Sequence, residues 1–113
     1  DCLLSRGLGD VYKRQIQMII INAKIKVDEN KREDYLQLMA DLVEHSRQEK
    51  GNLFYHHYED VSEANTFVVV ENYKDENAVE EHNQSEHFQT FSQNISKFIT
   101  EEPKIDVSRT VEK

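Results

Sequence analysis

Thiol chemistry has almost nothing to work with in this chain. Its one cysteine is Cys2, so everything after it offers no nucleophilic sulfur, no disulfide partner and no thiolate for zinc. Such usage fits a reducing compartment, and a cytoplasmic location is expected. Tryptophan is absent, and Pro103 is the single proline. Glycine is nearly as scarce: Gly7, Gly9 and Gly51 are too few and too scattered for a phosphate-cradling loop or a nucleophile elbow. Nucleotide, flavin and acyl-transfer chemistry therefore lack a basis in the sequence, and no cofactor is expected. No apolar run approaches the roughly 20 residues of a membrane span, and no internal repeat or low-complexity segment is visible.

Positive charge is the other shortage. Residues 1–17, DCLLSRGLGDVYKRQIQ, show no steady periodicity, and SRGLGDVYKRQ resembles a translated sequencing-adapter artefact. They are read as a non-native or disordered extension, without the long apolar stretch of a secretory signal, attached to one domain over 18–113. That domain carries 11 Lys and Arg against 20 Asp and Glu. Phosphate contacts from basic side chains dominate nucleic-acid affinity, so an acidic surface excludes DNA and RNA as expected partners, and anionic membrane with them.

What is present is clean periodicity. From Met18 to Val27, Ile19, Ile21, Ala23, Ile25 and Val27 share one strand face, while Ile20, Asn22, Lys24 and Lys26 share the other, with Asn22 expected among the more buried of them. Asp28 is a cap for a helix whose apolar positions are Tyr35, Leu38, Met39 and Leu42, and Gly51 is expected to stop it in a left-handed conformation. Leu53–Glu59 and Asn65–Tyr73 read as a hairpin around the polar turn DVSEA, with Leu53, Tyr55 and His57 on one face of its first strand. Asp75 opens a short helix through His82, and Ser85 caps a second one running through Phe88, Phe91, Ile95 and Phe98 towards Pro103. A last strand alternates Ile105, Val107, Arg109 and Val111 against Asp106, Ser108 and Thr110. The order βαββαβ predicts an α+β, ferredoxin-like antiparallel sheet with helices on one face. Ile20, Val68 and Val70 on the opposite face are too apolar to meet water comfortably, so a homodimer is expected to cover them.

The stretch NTFVVVENYKDENAVEEHNQSEHFQTF, residues 65–91, combines a strand, Glu71-x-Tyr73, an acidic turn, Ala78-x-x-x-His82 and Ser85-x-His87-Phe88-x-x-Phe91. In this it resembles the antibiotic biosynthesis monooxygenase (ABM) family, which includes quinol monooxygenases and haem-degrading relatives. The resemblance covers roughly Met18 to the end. It implies a dimeric α/β-barrel-type assembly, with a small-molecule pocket between helices and sheet in each subunit. The haem-degrading branch uses an Asn on the first strand, a Trp on a helix and a His one helix later as iron ligand. Asn22 matches the first, but His82 and Ser92 stand at the other two positions, which argues against haem breakdown.

His82 is the expected base: an imidazole titrating near neutral pH can accept a phenolic or enolic proton, which makes the ring electron-rich enough to react with oxygen. Glu71 shares a strand face with Tyr73 and is expected to orient that imidazole. Asn22, Tyr73, His57 and Phe88 complete the set as substrate-binding residues. His56 and His57 are adjacent on a strand and point to opposite faces, and His82 and His87 lack a third ligand at compelling spacing, so no metal site is expected. Together with the resemblance, these residues imply a cofactor-independent monooxygenase acting on a small aromatic, quinol or polyphenol with dioxygen. A quinone-binding dimer without catalysis and an oxygen-independent isomerase of a small carbonyl metabolite need the same pocket.

Overall fold

The computed structural model describes residues 18–110. The extension expected at 1–17 and the end of the last strand at Val111 lie outside them. Four strands form one antiparallel sheet in the order β2-β3-β1-β4, where β1 is Ile19–Lys26, β2 Asn52–Glu59, β3 Thr66–Tyr73 and β4 Lys104–Arg109. Three helices connect them: α1 (Arg32–Arg47), α2 (Glu76–Gln84) and α3 (Glu86–Asn94). This is the ferredoxin-like arrangement that the element order predicts. None of these helices is long and apolar enough to cross a membrane.

Period-two alternation settles which residues face the helices. In β1 Ile19, Ala23 and Ile25 are buried, and their cross-strand neighbours on β3, Tyr73, Val69 and Phe67, are buried with them. Tyr35, Met39 and Leu42 of α1 close over this layer. At its N-terminus α1 is preceded by a 3-10 turn, Glu29–Lys31, whose first amides are served by Asp28, which accepts from the Asn30 N–H at 2.9 Å. Arg32 then ties the helix to the hairpin, its two terminal nitrogens donating to Glu59 at 2.6 and 2.7 Å and one of them also to Asn65.

Four local expectations are corrected. Gly51 has no positive φ; it is needed because a Cβ there would lie 2.3 Å from the Cβ of Ala78, so α2 rests directly on this backbone. Leu53 does not share a face with Tyr55, because the β2–β3 register shifts between Asn52 and Phe54 and turns Leu53 outward, 56% exposed. Asn22 is exposed rather than among the more buried residues of the outer face. The last helix ends at Asn94 and passes through a 3-10 turn, Ile95–Lys97, well before Pro103. The chain leaves it there because the Phe98 carbonyl accepts from Asp28 N–H, Thr100 N–H donates to Lys26, and Ile99 bridges to Val27. Backbone pairing with the end of β1 outcompetes another helical turn.

Candidate functional site

Between the helices and the inner sheet face lies a cavity of about 700 Å³. Ile19, Ile21, Val79, Phe88, Phe91 and Ile95 supply apolar wall, and Ile105 and Val107 of the edge strand β4 stand at its exposed side. Polar groups are few, as in most small-molecule pockets: Glu71 and His82 are the buried ones.

Local sequence explains how His82 reaches this space. Asp75 accepts from the Ala78 N–H at 2.8 Å and starts α2, and Ala78 is small enough to seat on Gly51. One helical turn further on, His82 falls on the same buried face, 2% exposed. Its ring lies between those of Tyr55, Tyr73 and Phe88, with centroids 5.0–5.7 Å away. Ser85 then breaks the helix: its hydroxyl donates to the His82 carbonyl at 2.6 Å and accepts from the Phe88 N–H that begins α3.

The two nitrogens of His82 have different surroundings. Nδ1 lies 2.8 Å from a carboxylate oxygen of Glu49, in the turn after α1, and the same oxygen also takes a hydrogen bond from His87 Nε2. A carboxylate only accepts, so Nδ1 carries the proton and Nε2 is left with its lone pair. That Nε2 is buried with no hydrogen-bond partner among the described residues, and Glu71 Oε1 stands 3.9 Å from it. Burial pulls the His82 pKa below its ordinary value, against the opposing pull of Glu49, so the neutral ring dominates near pH 7. Burial also pushes the Glu71 carboxyl up to about 7, although the Tyr73 hydroxyl donates to it at 2.7 Å. A lone pair and a carboxyl that holds its proton near neutrality thus meet at one end of an apolar cavity.

A family model described as antibiotic biosynthesis monooxygenase matches residues 18–94. The chain belongs to the ABM family. The Bacillus subtilis (strain 168) protein named "Putative monooxygenase YcnE" is 46% identical over 93 residues, covering 82% of this chain and 96% of its own. Among solved structures, a conserved protein from Methanosarcina mazei Go1 superposes with a TM-score of 0.82 at 25% identity, covering 88% of this chain and 99% of that one. PA3566 from Pseudomonas aeruginosa gives 0.79 at 26%, covering 87% and 98%.

Within this ABM fold, the expected site residues divide. His82, Glu71 and Phe88 border the cavity. Tyr73 is fully buried behind Glu71 and holds that carboxyl rather than the cavity's contents. Asn22 pairs with Val70 on the opposite sheet face, away from the cavity. His57 is on the inner face but at the far end, bonded to the Tyr35 hydroxyl at 2.9 Å and stacked on Phe67, where it borders a separate groove with Leu36, Met39 and Val43. Glu49 is the residue that sequence reasoning misses. It takes the orienting role expected of Glu71, which instead faces Nε2. Glu49 also supplies the third donor that the spacing of His82 and His87 lacked, and the three donor atoms lie within 4.8 Å of one another.

The placement of His57 carries its own prediction. Burial lowers its pKa from 6.5 to about 4, with nearby Glu59 opposing. Through that interval the unfolded chain binds a proton that the folded chain refuses, so its contribution to stability is complete above pH 6.5 and is lost as pH falls through about 4. Urea midpoints measured from pH 7 to 4.5 are expected to fall less steeply for His57→Gln than for the parent. Equal slopes would refute this account of His57.

Proposed function

We propose that this chain is a cofactor-independent monooxygenase that deprotonates a small quinol, polyphenol or related aromatic and lets the anion react with dioxygen. The observation that carries this reading is the buried Nε2 of His82, which has no hydrogen-bond partner among the described residues and is fixed as an acceptor by Glu49 on the far side of the ring, on a residue that lines an apolar cavity. Membership of the ABM family and the name given to the B. subtilis relative support it.

His82 Nε2 takes a hydroxyl proton from the substrate, and the Glu49 carboxylate stabilises the imidazolium that results. Glu71, when protonated, donates to a substrate oxygen and holds it beside the base. Phe88 and Ile21 flank a planar ring. The anion supplies all the electrons: one oxygen atom of dioxygen enters the ring as a hydroxyl, the other leaves as water, and the diol becomes a hydroxyquinone. The test is oxygen consumption by the purified protein, freed of metal with a chelator, over a panel of hydroquinones and polyphenols. Saturable uptake matched by hydroxyquinone formation supports the reading. Tight quinone binding without uptake across the panel defeats it in favour of a carrier, and a shifted double bond without uptake defeats it in favour of an isomerase.

The proposal includes a cytoplasmic homodimer of the 18–113 domain, paired through the outer sheet face. Ile20, Val68 and Val70 are only half-buried there, around the exposed Asn22, with exposed Tyr58 on the neighbouring strand. Sedimentation is expected to give twice the chain mass for the parent and the chain mass for Val70→Lys. A monomeric parent would remove the dimer from the proposal.

A further inference from the structure

We propose that Glu49, His82 and His87 form a binding site for one divalent transition-metal ion, zinc by preference, and that its occupancy switches off His82 as a base. The donors come from three separate places, the turn after α1, the end of α2 and the start of α3, yet converge within 4.8 Å. Two imidazoles and a carboxylate are a recurring zinc set, with the fourth position left to water. A tetrahedral zinc ion with bonds of about 2.1 Å holds its ligands roughly 3.4 Å apart. Glu49 therefore needs to draw back by no more than about an ångström from each ring, and the two ring nitrogens, within 4.8 Å of one another, to close by up to about 1.4 Å. The site is shielded but reachable, with 16% of the His87 side chain and 17% of that of Glu49 exposed.

A second observation points the same way. Metal-bound histidines usually donate their other ring N–H to a carboxylate, which fixes the ring. Glu71 stands a short shift from that position, 3.9 Å from the His82 Nε2, which has no hydrogen-bond partner among the described residues. Coordination through Nδ1 requires the ring proton to move to Nε2, so the nitrogen facing Glu71 changes from acceptor to donor. The relocated N–H has the Glu71 carboxyl as its partner once the two close from 3.9 Å to hydrogen-bond distance, and the move removes the lone pair on which proton abstraction depends. The binding claim stands on the donor geometry; the inhibition claim rests on the monooxygenase reading.

The full chain, stripped with a chelator, is titrated with Zn²⁺ against a chromophoric competitor and with Co²⁺ followed by visible absorption, while ¹⁵N imidazole spectra report which nitrogen of His82 carries the proton. One equivalent is expected at micromolar or tighter affinity, with a four-coordinate cobalt spectrum and transfer of the His82 proton to Nε2. His87→Gln and Glu49→Gln are expected to weaken binding at least tenfold, and His56→Gln to leave it unchanged. Binding that survives both of the first two variants, or no binding at micromolar metal, overturns the site. Binding without transfer of the proton to Nε2 overturns the switch. Where the metal-free protein consumes oxygen, stoichiometric Zn²⁺ is expected to suppress uptake at least tenfold and chelator to restore it; undiminished uptake in the loaded protein overturns the inhibition. Absence of uptake by the metal-free protein instead defeats the monooxygenase reading, and the site is then decided by the titration and the ring spectra.

Discussion

His82→Gln is expected to lower the rate of oxygen uptake by about 10²–10⁴-fold, the usual contribution of a positioned base. Glutamine is chosen over alanine because its amide can still donate to Glu49, which keeps that half-buried carboxylate from losing a partner, and because it fills more of the space that the buried ring occupies. What it cannot do is hold a proton taken from a phenol. Substrate affinity, measured by fluorescence or calorimetry, is expected to change only a few-fold, since the apolar walls remain. Loss of rate with retained affinity identifies a group that acts in the transition state. A variant that keeps its rate within a factor of three would remove His82 from the chemistry, whatever the protein's substrate.

Gly51→Ala is expected to be the most damaging small change in the fold. Its methyl group would fall 2.3 Å from the Ala78 Cβ and 3.3 Å from the Ala78 Cα, and neither of these can swing aside as the end of a long side chain could. Parting the two backbones costs on the order of 2–3 kcal/mol, which for a domain of this size lowers Tm by roughly 10–20 °C. Scanning calorimetry gives the answer directly. Ala78→Gly, which alone loses about 1 kcal/mol of helix propensity, is expected to restore part of the loss when combined with Gly51→Ala. A Gly51→Ala protein as stable as its parent would show that α2 does not rest on this turn.

The fold was legible because two periods are written plainly in the chain. Alternation in β1, the consecutive β-branched run Val68–Val70 in β3 and three-to-four spacing around Tyr35, Met39 and Leu42 give these elements their type. The site was legible in part. Asp75, Ser85 and the spacing from Ala78 bring His82 to the buried side of a short helix, and these are local signals. Glu49 was hidden because its partners lie 33 and 38 residues further along, and the meeting depends on a close approach between Gly51 and Ala78 that no pattern advertises. The same alternation that revealed the strands also excludes Asn22 from the cavity, since it is one residue out of phase with Ile21, the partner of Glu71. Leu53 escaped for a different reason: a register shift between Asn52 and Phe54 resets the alternation.

The break at Ser85 has a consequence for how this arrangement could arise or be lost. On one continuous helix, residues five apart point about 140° away from each other, so His82 and His87 would face different neighbours. Because Ser85 ends one helix and starts the next, the second axis is free to swing until both rings face the same oxygen of Glu49. Convergence is thus a property of a bend and not of sequence spacing. A change that welded the two helices into one rod would scatter the three side chains while leaving every one of them in place in the sequence.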